Sequence, residues 1–330
     1  IILAAALLLA ALFGACQRAE TPADDPGTAA TTYTVVATTG MITDITRRIA
    51  ADRAEVIGLI NSGIDPHLYQ PTRDDIARLV RADIVLYNGL LLEGKMTDAL
   101  VRVASGTEVV AVAAEIDESA LLSPPDYEGH HDPHVWMDPL LWIHAAQTIA
   151  ATLQAHDPAG ADTYRANADQ LIGEIRALHD YAAEALGSIP ERQRVLVTAH
   201  DAFGYFGQRY GLEVVGIQGI STESEAGVRD IERIVDLLVT RQIGAVFVET
   251  TVSERNIRAL IAGANDRGHT VRVGGSLYSD AMGPSGTYEG TYIGMIDHNV
   301  TTIARALGGQ APAGGLNGKL TTQQTPQESP

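Results

Sequence analysis

Cysteine is almost missing: the 330-residue chain has one, Cys16, which rules out any disulfide framework within it. Cations are also scarce. Twenty-three Lys and Arg face 41 Asp and Glu, a net charge of −18. A nucleic-acid binder or a protein held on anionic lipid by charge needs a basic footprint, so both classes are excluded. The acidity itself says little more than that the surface is well solvated. No HExxH or similar helix-borne zinc motif occurs. Nothing reads as a transmembrane span: the apolar run 1–15 is too short. What remains is 45% apolar and 19% charged, the composition of a soluble globular protein long enough for two domains and a large core.

The position of the single cysteine is informative. Cys16 ends the apolar run, which has the length of the apolar core of a secretion signal. The stretch Leu12-Phe13-Gly14-Ala15-Cys16 resembles a bacterial lipobox, with Phe13 where Leu is usual. In that pattern the cysteine becomes the lipidated first residue. A simple signal peptide is the alternative. Residues 17–32 then offer Ala, Thr, Pro, Asp and Gly with almost nothing to bury. They suit a flexible tether reaching about 20 Å.

From Tyr33 onward, β-like runs alternate with amphipathic stretches. Strands are expected at Tyr33 to Thr39, Ala54 to Ile60, Ile84 to Tyr87, Val109 to Val112, Val195 to Thr198, Val214 to Ile217, Ala245 to Glu249 and Val271 to Val273. Met41 to Ala51 reads as a helix, and Thr72 with Asp75 as a helix start. This alternation predicts an α/β fold with mostly parallel sheets. After Asp157-Pro158, apolar residues recur at Ala161, Tyr164, Ala168, Leu171, Ile175, Leu178, Ala182 and Ala185. They form one helical stripe ending near Gly187 and Pro190, about 43 Å long. A helix of that length either braces two lobes or lies along one domain. Residues 310–330, rich in Gly, Gln, Thr and Pro, read as a disordered tail.

Two of the ten histidines follow the same tripeptide, Asp65-Pro66-His67 and Asp132-Pro133-His134. Proline stiffens the backbone, so each ring would project from a restrained loop, as metal ligation requires. His200 lies just past the strand at Val195 to Thr198, and Asp280 lies beyond the strand at Val271 to Val273. In open α/β sheets ligands bind outside the carboxyl ends of strands. Asp65, Asp201 and Glu249 are candidates for orienting ligands from behind, with ordinary loop or strand-end roles as the alternative. His130 and His131 read as solvated loop residues, with metal collection the alternative. His144, His156, His179, His269 and His298 read as surface or capping residues.

The motifs in series carry a resemblance. Gly63-Ile64-Asp65-Pro66-His67 comes first, then Asn88-Gly89-Leu90 with Leu92-Glu93-Gly94. Asp132-Pro133-His134-Val135-Trp136-Met137-Asp138-Pro139 follows, then Thr198-Ala199-His200-Asp201-Ala202-Phe203-Gly204-Tyr205-Phe206. Gly219-Ile220-Ser221-Thr222-Glu223-Ser224-Glu225 closes the series. In this order they resemble the TroA-like solute-binding proteins that serve zinc and manganese ABC importers, over nearly all of 33–309. The resemblance implies two lobes bridged by one long helix, and one metal ion in the cleft, held by His67, His134, His200 and Asp280. The implied organisation is a lipoprotein signal peptide (1–16), a tether (17–32), an N-terminal metal-binding lobe (33–156), a bridging helix (157–189), a C-terminal metal-binding lobe (190–309) and a tail (310–330). It also implies an extracytoplasmic, membrane-anchored monomer. Its partners would be a membrane permease and a separate ATPase.

Three imidazoles and one carboxylate suit both zinc and manganese, with iron third. The manganese branch of the family usually has Glu where His200 stands, which favours zinc; the His-poor loop before His134 favours manganese. Three other functions compete. A zinc hydrolase normally has three protein ligands and an open position, where four are expected here. Gly89 to Lys95 matches the first seven places of a Walker A loop, but Met96 stands where a magnesium-binding Ser or Thr is required, so a nucleotide-binding enzyme is rejected. An adhesin-type lipoprotein is the third, and binding to host matrix without metal would reveal it.

Overall fold

A computed structural model describes residues 32–125, 127 and 129–321. The expected signal peptide, the tether apart from Thr32, and residues 322–330 lie outside the described residues.

The β-branched runs form strands that all pair in parallel. β1 (Tyr33–Ala37), β2 (Ala54–Gly58), β3 (Ile84–Tyr87) and β4 (Glu108–Ala111) make one sheet in the order β2-β1-β3-β4. Helices α1 (Gly40–Ala50), α2 (Arg73–Arg81) and α3 (Thr97–Val103) return the chain between them. The expected start of α2 is a reciprocal capping box: Thr72 Oγ1 accepts the Asp75 N–H at 3.2 Å, and Asp75 Oδ2 accepts the Thr72 N–H at 2.9 Å.

In the second half β5 (Val195–His200) pairs with β6 (Glu213–Gln218), β7 (Ala245–Glu249) pairs with β8 (Arg272–Leu277), and β5 lies beside β7. Helices α6 (Gly204–Tyr210), α7 (Val228–Arg241) and α8 (Arg255–Asp266) connect them. β8 runs past the expected Val273. Gly274 and Gly275 weaken the local strand signal, yet they are needed there. A Cβ at Gly275 would sit 2.4 Å from Thr302 Cγ2, on α9 (Tyr292–Ala306).

Between the halves lie α4 (Pro139–His156) and, after a 3₁₀ turn at Pro158–Gly160, α5 (Ala161–Gly187). The Asp138 carboxylate caps α4 by accepting the Leu140 N–H at 2.9 Å, with Pro139 at the first helical position. The 27 residues of α5 span about 40 Å. Of the predicted stripe only Ala161 is half-buried, and every other member is buried. α5 packs on α1, α4 and α9. One core therefore runs through Ile45, Leu171, Ile175, Leu178, Ile296 and Ile303, so both lobes pack on one shared spine.

Two expectations need correction. Residues 310–321 are docked rather than disordered: Asp297 accepts the Leu316 N–H at 2.9 Å, Glu289 Oε1 accepts the Thr321 hydroxyl at 3.1 Å, and Leu320 is buried. Two leucines and two buried carboxylates suffice in a segment otherwise rich in Gly, Gln, Thr and Pro. His298 is not a surface residue. It is buried on α9, with Nε2 2.9 Å from the Ser276 carbonyl. The other four fit their expected settings more closely: His144 and His156 are exposed, and His179 and His269 are half-buried.

Candidate metal centre

Each of the four predicted ligands lies at or beyond the carboxyl end of a parallel strand. His67 lies in the loop after β2, His134 in the loop after β4, His200 ends β5, and Asp280 follows β8. The structure brings all four together, fully buried, with one donor atom from each within 4.8 Å of the others. His67 Nε2 is 3.3 Å from His134 Nε2 and 3.6 Å from Asp280 Oδ2. Asp280 Oδ1 is 3.3 Å from His134 Nε2, and its Oδ2 is 3.1 Å from His200 Nε2. Tetrahedral bonds of about 2.0–2.1 Å put neighbouring donors roughly 3.3–3.4 Å apart, so these spacings fit one small cation.

The cluster leaves polar atoms unpaired. His200 Nε2 and both Asp280 oxygens are buried without a hydrogen-bond partner, although Asp280 Oδ2 and His200 Nε2 nearly touch. Close but misaligned groups of this kind cost free energy unless a cation joins them.

Carboxylates behind two rings set the direction of their donors. Glu249 Oε2 accepts from His200 Nδ1 at 2.5 Å and Oε1 accepts the His200 N–H at 2.8 Å. Asp132 Oδ1 accepts from His134 Nδ1 at 2.7 Å and from its backbone N–H at 2.9 Å. Both arrangements keep Nδ1 protonated and turn Nε2 towards the centre. Of the three carboxylates named from sequence, only Glu249 reaches a ring. Asp65 accepts the His67 backbone N–H at 2.8 Å, and Asp201 makes no hydrogen bond to the four among the described residues. Asp132 was missed. Its place two residues before a predicted ligand matches that of Asp65, and no local signal separates them.

Electrostatics follow from this packing. Burial lowers the His134 pKa, but Asp132 and Asp280 outweigh it and carry the imidazole up to about 9. Burial opposes the same rise at His200, which Glu249 and Asp280 drive well above the ordinary value. Burial would raise Asp280, but His200 and His134 hold it well below the carboxylate range. His67 differs: burial pushes it down to about 3 despite Asp280. Burial and the nearby Asp132 raise Asp201 to about 6. Among the three rings, the surrounding carboxylates thus favour the protonated form of His134 and His200, whereas burial favours the neutral form of His67.

Contacts between the lobes fix the two half-sites against each other. Trp136 Nε1 donates to the Ser279 carbonyl at 2.9 Å, beside Asp280, and the Tyr292 hydroxyl donates to the Trp136 carbonyl at 2.8 Å. Glu93, buried in the Walker-like loop, accepts the N–H groups of Asn88 and Gly89 and the Thr38 hydroxyl. An internal carboxylate thus fills the space a phosphate would need, and the Asn88 side chain donates to the Pro133 carbonyl at 3.0 Å. His130 and His131 stay outside the cluster, with His131 Nδ1 3.0 Å from Ser123 Oγ.

Known proteins share this architecture. The family described as "Zinc-uptake complex component A periplasmic" (ZnuA) matches residues 35–306. Manganese-binding lipoprotein MntA of Bacillus subtilis is 47% identical over 83% of this chain and 89% of its own length. Zinc-binding protein TroA of Treponema pallidum is 41% identical over 83% and 88% respectively. The solved structure of the periplasmic zinc-binding TroA superposes with a TM-score of 0.82 at 40% identity, covering 84% of this chain and 99% of that one. With more than half of its length matched to the family and close relatives aligned along most of theirs, the chain belongs to the ZnuA family of metal-uptake proteins.

Proposed function

We propose that this protein is the extracytoplasmic receptor of an ABC importer and carries one divalent ion, zinc or manganese, as cargo between its lobes. His67, His134, His200 and Asp280 replace the water shell of the ion. The observation that carries this reading is the buried, unpaired set of three imidazoles and one carboxylate at metal-ligand spacing. The ion competes with protons for His134 and His200, and the proteins named for manganese and for zinc among its relatives support both cargoes. By the Irving–Williams order zinc binds such a set more tightly, so supply rather than affinity selects the ion in the cell.

The loaded form docks on a membrane permease, whose separate ATPase drives release. Lipidated Cys16 anchors the protein, a reading supported by the lipobox-like stretch and by a 47% identical relative named a lipoprotein. The protein acts as a monomer and performs no turnover: four converging donors leave little room for the open position of catalytic zinc. Metal analysis of protein purified from its native host without added metal tests the assignment. One equivalent of zinc or manganese in the natural protein, and none in His200→Ala, is the expected result. Equal metal in both would remove the ligand set, and hydrolysis of esters, phosphates or β-lactams by the loaded protein would remove the receptor reading.

A further inference from the structure

The carboxylate of Asp65 works in two directions. Oδ1 accepts the backbone N–H of His67 at 2.8 Å, and Oδ2 accepts the Thr222 hydroxyl of the opposite lobe at 2.5 Å. Thr222 lies in the loop between β6 and α7, where Gln218 Nε2 donates to the Ser224 carbonyl at 3.2 Å and folds the loop onto the end of β6. The neighbouring Glu223 reaches the N-terminal lobe as well, through an ion pair with Lys95 Nζ at 2.6 Å. His67 is the ligand with the weakest support of its own. Among the described residues no carboxylate holds its ring as Asp132 and Glu249 hold the other two, and exposed Ile64 and Leu68 flank its loop.

We infer that Asp65 is a positioning residue that couples closure of the two lobes to the placement of His67, so that its bond to Thr222 governs how fast the cargo leaves. This inference rests on the metal-capture reading above. When the lobes part, the Thr222 bond breaks first and frees Asp65. The backbone that carries His67 then relaxes, and the ion loses its least supported ligand. The exposed Lys95–Glu223 pair closes the same gap but contributes little, because solvent screens it.

The test compares release rates of zinc and manganese into a chelator, followed by stopped-flow, for the natural full-length protein and three variants. Thr222→Val keeps the size of the side chain and the Asp65–His67 bond. It should speed release about tenfold, the effect of one hydrogen bond to a charged group. Asp65→Ala removes both bonds and should speed release further. Glu223→Gln should stay within about twofold. The cobalt-substituted Thr222→Val protein should keep the natural absorption spectrum, because its ligands are unchanged, whereas Asp65→Ala should shift it as His67 moves. Release of Thr222→Val at the natural rate, or faster release of Glu223→Gln than of Thr222→Val, would overturn the coupling. So would a Thr222→Val variant that lowers thermal stability equally with and without metal while its release rate stays unchanged. If the natural protein takes up neither metal, the failure belongs to the capture reading, which the His200→Ala comparison detects separately.

Discussion

The tripeptide Asp-Pro-His occurs twice, at 65–67 and at 132–134, and the two copies part company above the backbone. In both, the aspartate accepts the N–H of the histidine two residues on, at 2.8 and 2.9 Å, and proline stiffens the step between. Asp132 then turns onto the His134 ring, while Asp65 turns away to Thr222. The result is one imidazole raised to about 9 and another lowered to about 3. Identical local chemistry thus yields one predicted ligand locked by charge behind its ring and another that its aspartate holds through the backbone. The tripeptide fixes where a ring starts. The tertiary neighbours decide which proton it keeps.

The largest test removes a ring. His134→Ala should weaken zinc binding by more than about a hundredfold, beyond the effect expected for an outer partner. It should also abolish the metal-induced rise in melting temperature, read by calorimetric titration and thermal unfolding. The next contrast removes the carboxylates. Asp132→Asn should cost about 10–100-fold in affinity, because the His134 ring loses its charged anchor. Asp65→Asn should cost clearly less at equilibrium, since its oxygen touches the His67 backbone rather than the ring. Equal losses in competition titrations would break the distinction between the copies.

Protons sharpen the same contrast. His134 and His200 carry raised pKa values in the metal-free fold, so metal binding at pH 7 should release about two protons, and His67 should release none. Calorimetry in buffers of different ionisation enthalpy counts them. The effects on stability run in opposite directions. A histidine raised to about 9 stabilises the metal-free fold fully below the unfolded pKa of about 6.5, and that contribution is lost as pH rises through about 9. His67, lowered to about 3, binds fewer protons folded than unfolded, so stability is lost as pH falls from about 6.5 towards 3. The metal-induced rise in melting temperature should therefore grow between pH 6.5 and 9. A rise that shrinks over that window would contradict the raised values at His134 and His200.

Most of the scaffold was legible because it depends on periodicity. The α5 stripe from Tyr164 to Ala185 is buried as its spacing predicts, and Ala245 to Glu249 is a strand with those bounds. The four site residues stand out as polar side chains just past apolar strands or beside proline. What stayed hidden depends on partners distant in sequence. Gly274 and Gly275 look like a break, but they let β8 pass under Ala306 and Thr302. His298 looked exposed until its ring met the Ser276 carbonyl, and the docking of 310–321 needs Asp297. Asp132 and Asp65 could not be told apart from sequence, because only one of them has a threonine across the cleft.

The smallest expected effect tests whether proline matters equally in the two copies. Both Pro66 and Pro133 are buried, and replacing either by Ala enlarges the unfolded ensemble, at a cost of about 0.4–1 kcal/mol in thermal unfolding. Beyond that cost the copies should differ. The backbone around Pro133 is held by Asn88 at its carbonyl and by Asp132 on the backbone N–H and Nδ1 of His134. Pro133→Ala should therefore leave metal release unchanged. Residues 61–64 before Pro66 are exposed, and among the described residues no carboxylate stands behind the following ring as Asp132 does behind His134. The freedom gained in Pro66→Ala should reach His67 and speed release about two- to fivefold, the same free energy expressed as a ratio. If the two alanine variants release metal at one rate, proline contributes only to folding, and the contrast between the copies lies wholly in their aspartates.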